Sequence, residues 1–371
     1  MKVAWLELRR RPERFVTATL ILALLATLLM LLGGLLDGLL NGATGAVASQ
    51  RGEVVVYSST AQTSLLRSRI TAEERAQVAA VEGVARVGGI GVTQLGARVP
   101  GNSARDLADV ALFGYEIPPT GVPEPPAQGQ AYADRTLEAS GVRKGMTILL
   151  GPARTPVEIV GWVDGLAYSG QGSLWAAPAT WRGAVNANRP GAGLGPDAFQ
   201  ALVVQADAGT DPAALARRID RATAGATESL TLAAAVEAIP GVEQQRSTFN
   251  QIIGVTVVIA VVVVALFFAL LTVERTGLYG VLKAIGATSR TLFGGVVLQA
   301  VVVTFIASLI GSAIALALDL LIPPGGIPYT LLPARVISSV LFLLVAAVIG
   351  CAFSLRRVLK IDPASAIGSA S

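Results

Sequence analysis

The stretch of residues 274–288 combines charged and apolar side chains in a regular pattern. It begins with Glu274 and Arg275, and Lys283 follows about two helical turns later. Four apolar residues recur at i, i+3, i+4 and i+7, namely Leu278, Val281, Leu282 and Ile285. This spacing predicts one apolar helix face that ends at Gly286, and the chemistry it offers is docking into a groove of a partner protein.

Candidates for bond-making chemistry are few. The chain has no histidine, which excludes histidine-based triads, histidine-ligated zinc and imidazole proton shuttles. Its single cysteine, Cys351, lies in an apolar run and is interpreted as a packing residue. No G-x-S-x-G, C-x-x-C or phosphate-binding P-loop motif is present, and the acidic residues show no metal-ligand spacing. We therefore expect no enzyme activity, metal or cofactor in this chain, and any ATP hydrolysis in a separate polypeptide.

Four apolar runs without charges position the docking stretch. They occupy residues 15–36, 252–273, 292–318 and 336–355. A run of about 20 residues crosses a hydrocarbon core of about 30 Å, and only helices satisfy their own backbone there. We predict transmembrane helices over 15–40, 249–273, 291–321 and 335–355, with Thr288 or Ser289 capping the third.

Lysine and arginine residues near these runs predict the orientation. They cluster before the first run, between the second and third, and after the fourth: Lys2, Arg9, Arg10, Arg11 and Arg14; Arg275, Lys283 and Arg290; Arg356, Arg357 and Lys360. The positive-inside rule then places both termini and the loop 274–290 in the cytoplasm of a multi-pass cell-membrane protein, and residues 41–248 and 322–334 outside.

The N-terminal end of the chain allows more than one interpretation, and the C-terminal end allows one. A cleaved signal peptide is the alternative for the N-terminus, but its apolar region is normally only about 7 to 15 residues long. Residues 1–14 fit an amphipathic helix on the inner membrane surface or a basic topogenic tail. Residues 356–371 form a cytoplasmic tail.

The large segment 41–248 predicts a mixed α/β domain, because short β-prone stretches alternate with helix-like ones. Thr71 with Glu74 predicts a capping box, and Asp211 before Pro212 predicts a second helix start. The proline-rich stretch 117–126 predicts an exposed connector that divides the domain into two lobes.

A glycine-rich loop, residues 161–175, carries three aromatic residues, Trp162, Tyr168 and Trp175. They fit a contact surface for an extracytoplasmic partner or an amphiphile, or a lid over the domain's own core.

Two stripes of small residues predict close helix packing, although both also fit chance in a chain rich in alanine and glycine. They are Gly34, Gly38 and Gly42 in the first span, and Ala307, Gly311 and Ala315 in the third. Asp37 and Asp319 are interpreted as marks of the outer membrane boundary.

Glu274-Arg275, followed by Lys283-Ala284-Ile285-Gly286-Ala287, resembles the cytoplasmic signature of the FtsX-like permease superfamily, the MacB-type ABC transporters. The tail 356–364 and the stretches 81–84, 113–115 and 141–147 are also similar to the family, so the resemblance covers nearly the whole chain. Full-length MacB carries its own ATPase domain, and this chain therefore looks like a stand-alone permease subunit.

The resemblance implies a homodimer or pseudo-symmetric dimer of permeases above two ABC ATPase subunits that bind ATP and Mg. The segment 274–287 would be the coupling helix, and the first two spans would carry movement to the outer domain, which is called mechanotransmission. Export or extraction of a substrate from the outer side is the expected function. FtsX-like regulation of a cell-envelope enzyme without solute transport is an alternative, and a passive membrane anchor is another. A periplasmic or cell-envelope partner and membrane lipids are expected contacts, and nucleic acid is not, because the charges flank apolar runs.

Overall fold

The computed structural model describes residues 13–103, 105–274, 281, 285–286, 288–323 and 326–358. The predicted surface segment 1–14 and the tail 356–371 lie almost wholly outside this range. The helices are α1 Glu13–Ala48, α2 Ala72–Ala79, α3 Pro178–Asn188, α4 Pro212–Ala222, α5 Leu232–Glu237, α6 Val242–Val273, α7 Ser289–Leu321 and α8 Pro333–Val358. The strands are β1 Val54–Ser58, β2 Val84–Arg98, β3 Leu107–Tyr115, β4 Gln130–Asp134, β5 Thr147–Leu150, β6 Thr155–Val163, β7 Gly172–Ala176, β8 Ala201–Ala206 and β9 Thr227–Thr231.

The chain divides into a membrane unit and an outer unit. The membrane unit comprises Met1–Asp37, Ser247–Ile322 and Tyr329–Ser371, and the outer unit comprises Gly38–Arg246 and Pro323–Pro328. Among the described residues, four helices are long and apolar enough to cross a membrane: Phe15–Ala48, Val242–Val273, Thr291–Leu321 and Pro333–Phe353. The predicted fold class, four transmembrane helices with an α/β domain between the first two, is confirmed.

Helices α1 and α6 are longer than the apolar runs that revealed them. The first continues from the expected limit at residue 40 to Ala48, and the second begins at Val242 rather than at residue 249. The apolar run shows how much of the helix can lie in lipid. The helix itself continues for as long as its backbone N–H and C=O groups have hydrogen-bond partners. Polar residues such as those at 243–248 extend α6 without difficulty.

Small residues set the packing of the membrane unit. A Cβ at Gly311 of α7 would lie 2.6 Å from Ala26 Cβ and 2.9 Å from Thr27 N of α1. Ala307 and Ala315, one turn to either side, are buried. This second stripe is therefore a helix-packing stripe rather than a chance run.

Helices α8 and α6 approach each other in the same way. A Cβ at Gly350 of α8 would lie 2.8 Å from the carbonyl oxygen of Val261 and 3.0 Å from Ala265 N of α6. Cys351 is fully buried beside Val264 and Phe268, which agrees with its interpretation as a packing residue.

The outer unit is built on one nine-stranded sheet with the order β3-β7-β4-β6-β5-β2-β8-β1-β9. Because β2 also pairs with β3, the first six strands form a closed ring. Strand β2 then continues the sheet through β8 and β1 to β9. The proline-rich stretch 117–126 connects β3 to β4 within the ring, so it does not separate two lobes as expected; the long strand β2 belongs to both parts.

Local folding signals behave as the sequence predicted. The Thr71 side chain accepts a hydrogen bond from the Glu74 backbone while the Glu74 carboxylate accepts from Thr71, which completes the capping box of α2. Asp211 caps α4 by accepting from the Ala214 backbone at 2.8 Å. Helix α4 then buries Leu215 and Ile219 against β1 and β8.

Candidate functional site: coupling segment, outer latch and helix clasp

The coupling segment, residues 274–288, is described in part. Glu274 continues α6, since its N–H donates to the Leu270 carbonyl at 3.0 Å. Val281 and Ile285 form one helical hydrogen bond at 3.1 Å and are 57% and 78% exposed. Gly286 has a φ of +100°, a conformation that favours glycine at a helix end. Arg275, Leu278, Leu282 and Lys283 lie outside the described residues.

Thr288 caps α7, as one of the two predicted candidates. Its side chain accepts a hydrogen bond from the Thr291 backbone at 3.3 Å. The segment is thus bounded by α6 on one side and a capped α7 on the other, and its two described apolar residues are exposed.

Helices α1 and α8 share an ion pair, which we call the outer latch: Asp37 and Arg335. Arg335 Nε donates to Asp37 Oδ2 at 2.9 Å, and a second guanidinium nitrogen donates to Oδ1 at 2.6 Å. The Asp37 side chain is 10% exposed, and the Arg335 side chain is 25% exposed. Such a shielded bidentate pair is both strong and directional, so it fixes the distance between the two helices.

The segment 329–331 lies beside the latch and ties α1 to α7. Thr330 N–H donates to the Gly34 carbonyl at 3.1 Å, and Leu331 N–H donates to Asp319 Oδ1 at 3.2 Å. Tyr329 covers Gly34 so closely that a Cβ there would lie 2.4 Å from its ring. Burial, and then the charge of Asp319, raises the pKa of Tyr329 and keeps its hydroxyl protonated.

Within this chain, Gly34 and Gly42 of the first glycine stripe do not have a neighbouring helix as their nearest contact. Gly34 contacts the ring of Tyr329 rather than a neighbouring helix, and a Cβ at Gly42 would meet nothing within 4 Å. Gly38 is buried. Spacing of four along a helix puts small residues on one face, but it does not say whether a helix or a loop occupies that face.

Within the outer unit, the last two turns of α1 are fastened to the loop 164–170, and we call this arrangement the helix clasp. Three backbone hydrogen bonds join them: Ala46 N–H to Ala167 O at 3.1 Å, Ser169 N–H to Ala43 O at 3.1 Å, and Gly170 N–H to Gly42 O at 2.9 Å. A Cβ at Gly45 would lie 2.5 Å from the Gly165 carbonyl oxygen. Only glycine permits this approach, so the helix end and the loop are in backbone contact.

A buried carboxylate anchors the clasp loop to the domain. Asp134 is fully buried, and its Oδ2 accepts from Leu166 N–H at 2.8 Å. Its Oδ1 accepts from Thr136 N–H at 2.9 Å and from the Thr136 hydroxyl at 2.6 Å. The loop that holds α1 is thereby bonded to the end of β4, inside the sheet.

The aromatic residues of loop 161–175 belong mainly to the core, which fits the second interpretation, a lid over the domain's own core, better than a contact surface. Trp175 is fully buried and stacks on Phe113 at 4.5 Å, and Tyr168 is 6% exposed and meets the same ring edge-on at 5.5 Å. Burial raises the pKa of Tyr168. Trp162 is half-buried under the Arg135 guanidinium, 6.0 Å from its ring. The aromatic residues close over the domain beside the clasp.

Helix α6 leaves the same unit through a different connection. Gly241, just before Val242, has a φ of +86°. Glu237 of α5 and Arg246 of α6 form an ion pair at 2.9 Å, with side chains that are 62% and 44% exposed. The described features of this connection include a glycine turn, the buried Val242 and a solvated ion pair.

Comparison with known proteins identifies the C-terminal part. Residues 250–363 match the family described as FtsX-like permease C-terminal. Two relatives from Staphylococcus epidermidis, one from each of two strains, are named as hemin transport system permease protein HrtB. They are 25% and 24% identical to this chain over 130 residues. That match covers 35% of this chain and 37% of the relatives' own length.

Two solved structures are also similar. The periplasmic region of MacB from Actinobacillus actinomycetemcomitans has a TM-score of 0.36 and 9% identity, covering 52% of this chain and 95% of that one. The extracellular domain of the noncanonic ABC-type transporter YknZ from Gram-positive bacteria has a TM-score of 0.32 and 14% identity, covering 48% of this chain and all of the other.

The four apolar helices make this chain a multi-pass membrane protein. Its residues 250–363, which contain α7, α8, most of α6 and the coupling segment, are similar to the FtsX-like permease C-terminal family. The resemblance inferred from the sequence is confirmed over these residues.

Proposed function

We propose that the chain is the permease subunit of an ABC transporter of the FtsX/MacB type. Two copies work with two separate ATPase subunits that bind ATP and Mg, and they export or extract a substrate from the outer side of the cell membrane. The observation that carries this proposal is the FtsX-like permease match over residues 250–363, because it contains the coupling segment between α6 and α7.

The coupling segment supplies the docking surface for the ATPase. Val281 and Ile285 are exposed apolar residues next to a helix end, and apolar anchors on a short helix are typical of groove binding. An ATPase groove that covers them would gain the burial of these side chains, about 1.5 to 3 kcal/mol for each fully buried one.

Helix α1 carries movement to the outer domain. Its residues up to Asp37 belong to the membrane unit, and the helix continues without a break to Ala48 in the outer unit. At Gly45 the helix is in direct contact with the loop 164–170, with no space between them. Three backbone hydrogen bonds also hold the helix end and the loop together, and each stabilises the contact by about 0.5 to 1.5 kcal/mol. Displacement of the end of α1 must therefore displace the loop 164–170 and, through Asp134, the sheet.

Docking can be tested with two isoleucines of similar exposure. Ile285 in the coupling segment is 78% exposed, and Ile327 in the connection between α7 and α8 is 61% exposed. We expect Ile285→Asp to reduce co-purification of the ATPase in mild detergent, because a buried unpaired carboxylate costs several kcal/mol. Ile327→Asp should leave the complex intact.

Retention of the ATPase by the Ile285→Asp variant, with unchanged ATP turnover, would contradict the docking assignment. The purified chain alone should hydrolyse no ATP, and turnover should appear when the ATPase is added. Turnover by the isolated chain would contradict the assignment of a non-enzymatic subunit.

A further inference from the structure

Two carboxylates lie at the outer ends of membrane helices, and they differ in their partners. Asp37 of α1 is bonded through both oxygens to Arg335. Asp319 of α7 accepts one hydrogen bond, from the Leu331 N–H at 3.2 Å, and no described lysine or arginine has a nitrogen within 4 Å of it. An ionised carboxylate offers about four acceptor positions. Most of the bonding capacity of Asp319, and its charge, are therefore left without a partner in the described part of the chain.

Asp319 lies at the border between the packed and the exposed sides of α7. One turn earlier, Ala315 is buried, whereas Leu316 is 52% exposed. Both are surface neighbours of Asp319, because residues three and four apart adjoin each other on a helix. Leu320, the next residue, is 78% exposed, and Asp319 itself is half-buried. The carboxylate is thus bordered by the chain on one side and by exposed leucines on the other.

The packed side of this carboxylate is closed by the segment 329–331. The Tyr329 hydroxyl donates to the Ala315 carbonyl at 3.4 Å, one turn before the contact between Leu331 and Asp319. The ring of Tyr329 also covers Gly34 of α1. A ligand would therefore reach Asp319 from the side of the leucines.

The charges at this boundary leave one negative charge uncompensated. Asp37 and Arg335 neutralise each other, and the sequence between Ile322 and Ala334 contains no charged residue. An unpaired carboxylate beside exposed leucines is complementary to a molecule with one positive charge and an apolar body. A zwitterionic phospholipid fits less well, because its phosphate lies nearer the hydrocarbon than its ammonium group and would be repelled by the carboxylate.

We propose that Asp319, with Leu316 and Leu320, forms a binding site for a cationic amphiphile at the outer membrane boundary. The carboxylate pairs with the cation, and the attraction is stronger there than in bulk water because the effective dielectric constant is lower. The apolar body of the ligand covers the leucines. That such cations are the transported class of substrate rests on the proposed function, whereas the binding site itself needs no ATPase.

The test measures equilibrium binding of radiolabelled tetraphenylphosphonium to the full chain in phosphatidylcholine nanodiscs. Tetraphenylborate, an anion of similar size and shape, is the matched control ligand, and empty nanodiscs correct for uptake by lipid. We expect saturable binding of the phosphonium ion and none of the borate ion.

The central variant is Asp319→Asn, which keeps an oxygen that can accept from the Leu331 N–H but removes the charge. It should weaken phosphonium binding by about tenfold, and Asp319→Glu should restore most of the affinity. Leu320→Ala shortens the apolar surface without changing the carboxylate, and it should weaken binding by about fivefold. Glu73→Gln removes an equal charge from an exposed position of α2 and should leave binding unchanged.

Uptake of the phosphonium ion no greater than that of empty nanodiscs would mean that lipid covers this face, and it overturns the proposal. Unchanged affinity in Asp319→Asn does so as well, as does equal weakening by Glu73→Gln. Leu320→Ala decides if Asp319→Asn lowers the melting temperature. Because binding is measured without the ATPase, a failure here leaves the docking test with Ile285→Asp unaffected.

Discussion

Helices α1 and α6 both border the outer domain along the chain, but they are joined to it differently. The end of α1 is in backbone contact with the loop 164–170, and Asp134 bonds that loop to the sheet. The start of α6 follows a glycine turn at Gly241, buries Val242 and carries a solvated ion pair at Arg246. On the membrane side, α1 also carries the shielded Asp37 of the outer latch.

This difference bears on which of the two helices would pass movement to the outer domain in the proposed transporter. A loop in direct backbone contact with a helix end has to move with that helix. A glycine turn and an exposed ion pair, in contrast, allow the connection between α5 and α6 to bend. For the proposed transporter, we therefore propose that α1 is the driving connection and α6 the more compliant one. Perturbations of α1 should have large effects, and comparable perturbations at the start of α6 should have small ones.

The largest effect is expected at the outer latch. Asp37→Ala leaves Arg335 as a shielded charge without its partner, and breaking such a pair costs about 3 to 5 kcal/mol. We expect a clear fall in the melting temperature of the protein in detergent. The double variant Asp37→Ala with Arg335→Met should recover much of this loss, because it removes both charges. A single variant as stable as the wild type would show that the latch is dispensable.

An intermediate effect is expected at the clasp, where two glycines of α1 provide a matched pair. Gly45→Ala places a methyl group 2.5 Å from the Gly165 oxygen, whereas Gly42→Ala meets nothing within 4 Å. Overpacking costs about 1 to 3 kcal/mol, while alanine in an open helical position gains up to about 1 kcal/mol over glycine.

Hydrogen exchange at Ala46, Ser169 and Gly170 is the measurement for this pair. Their amides donate the clasp hydrogen bonds, so they should exchange faster in Gly45→Ala and not in Gly42→Ala. Similar exchange in both variants would mean that the close contact at Gly45 does not hold the clasp.

The smallest effect is expected at the start of α6. Arg246 and Glu237 form an exposed pair, and such pairs contribute about 0 to 1 kcal/mol. Arg246→Ala should therefore change the melting temperature little at moderate salt. A loss as large as that of Asp37→Ala would remove the contrast between the two helices.

The parts that the sequence predicted depend on local chemistry. Apolar runs marked the four membrane helices, and Thr71 with Glu74 marked a capping box, since these signals lie within one element. The outer latch was missed because its partners are 298 residues apart. A signal was nevertheless present: an aspartate and an arginine at the outer ends of two spans are at matching depth.

The clasp could not be predicted because its contacts are made by backbone groups. Gly45 looks like any other glycine of a glycine-rich helix, and only the position of the Gly165 carbonyl explains it. The loop 161–175 was ambiguous for a similar reason. Aromatic residues among glycines fit a surface or a lid, and the pairing of β7 with β3 decides for the lid by bringing Trp175 onto Phe113.

Spin-label distances within the assembled complex test the central claim most directly. Labels at Arg105→Cys, an exposed position of the outer domain, in a Cys351→Ala background report the separation of the two copies without nucleotide and with ATP and vanadate. We predict a nucleotide-dependent change of distance in the wild type and in Gly42→Ala, and its loss in Gly45→Ala. The same change in Gly45→Ala would contradict transmission through the clasped end of α1.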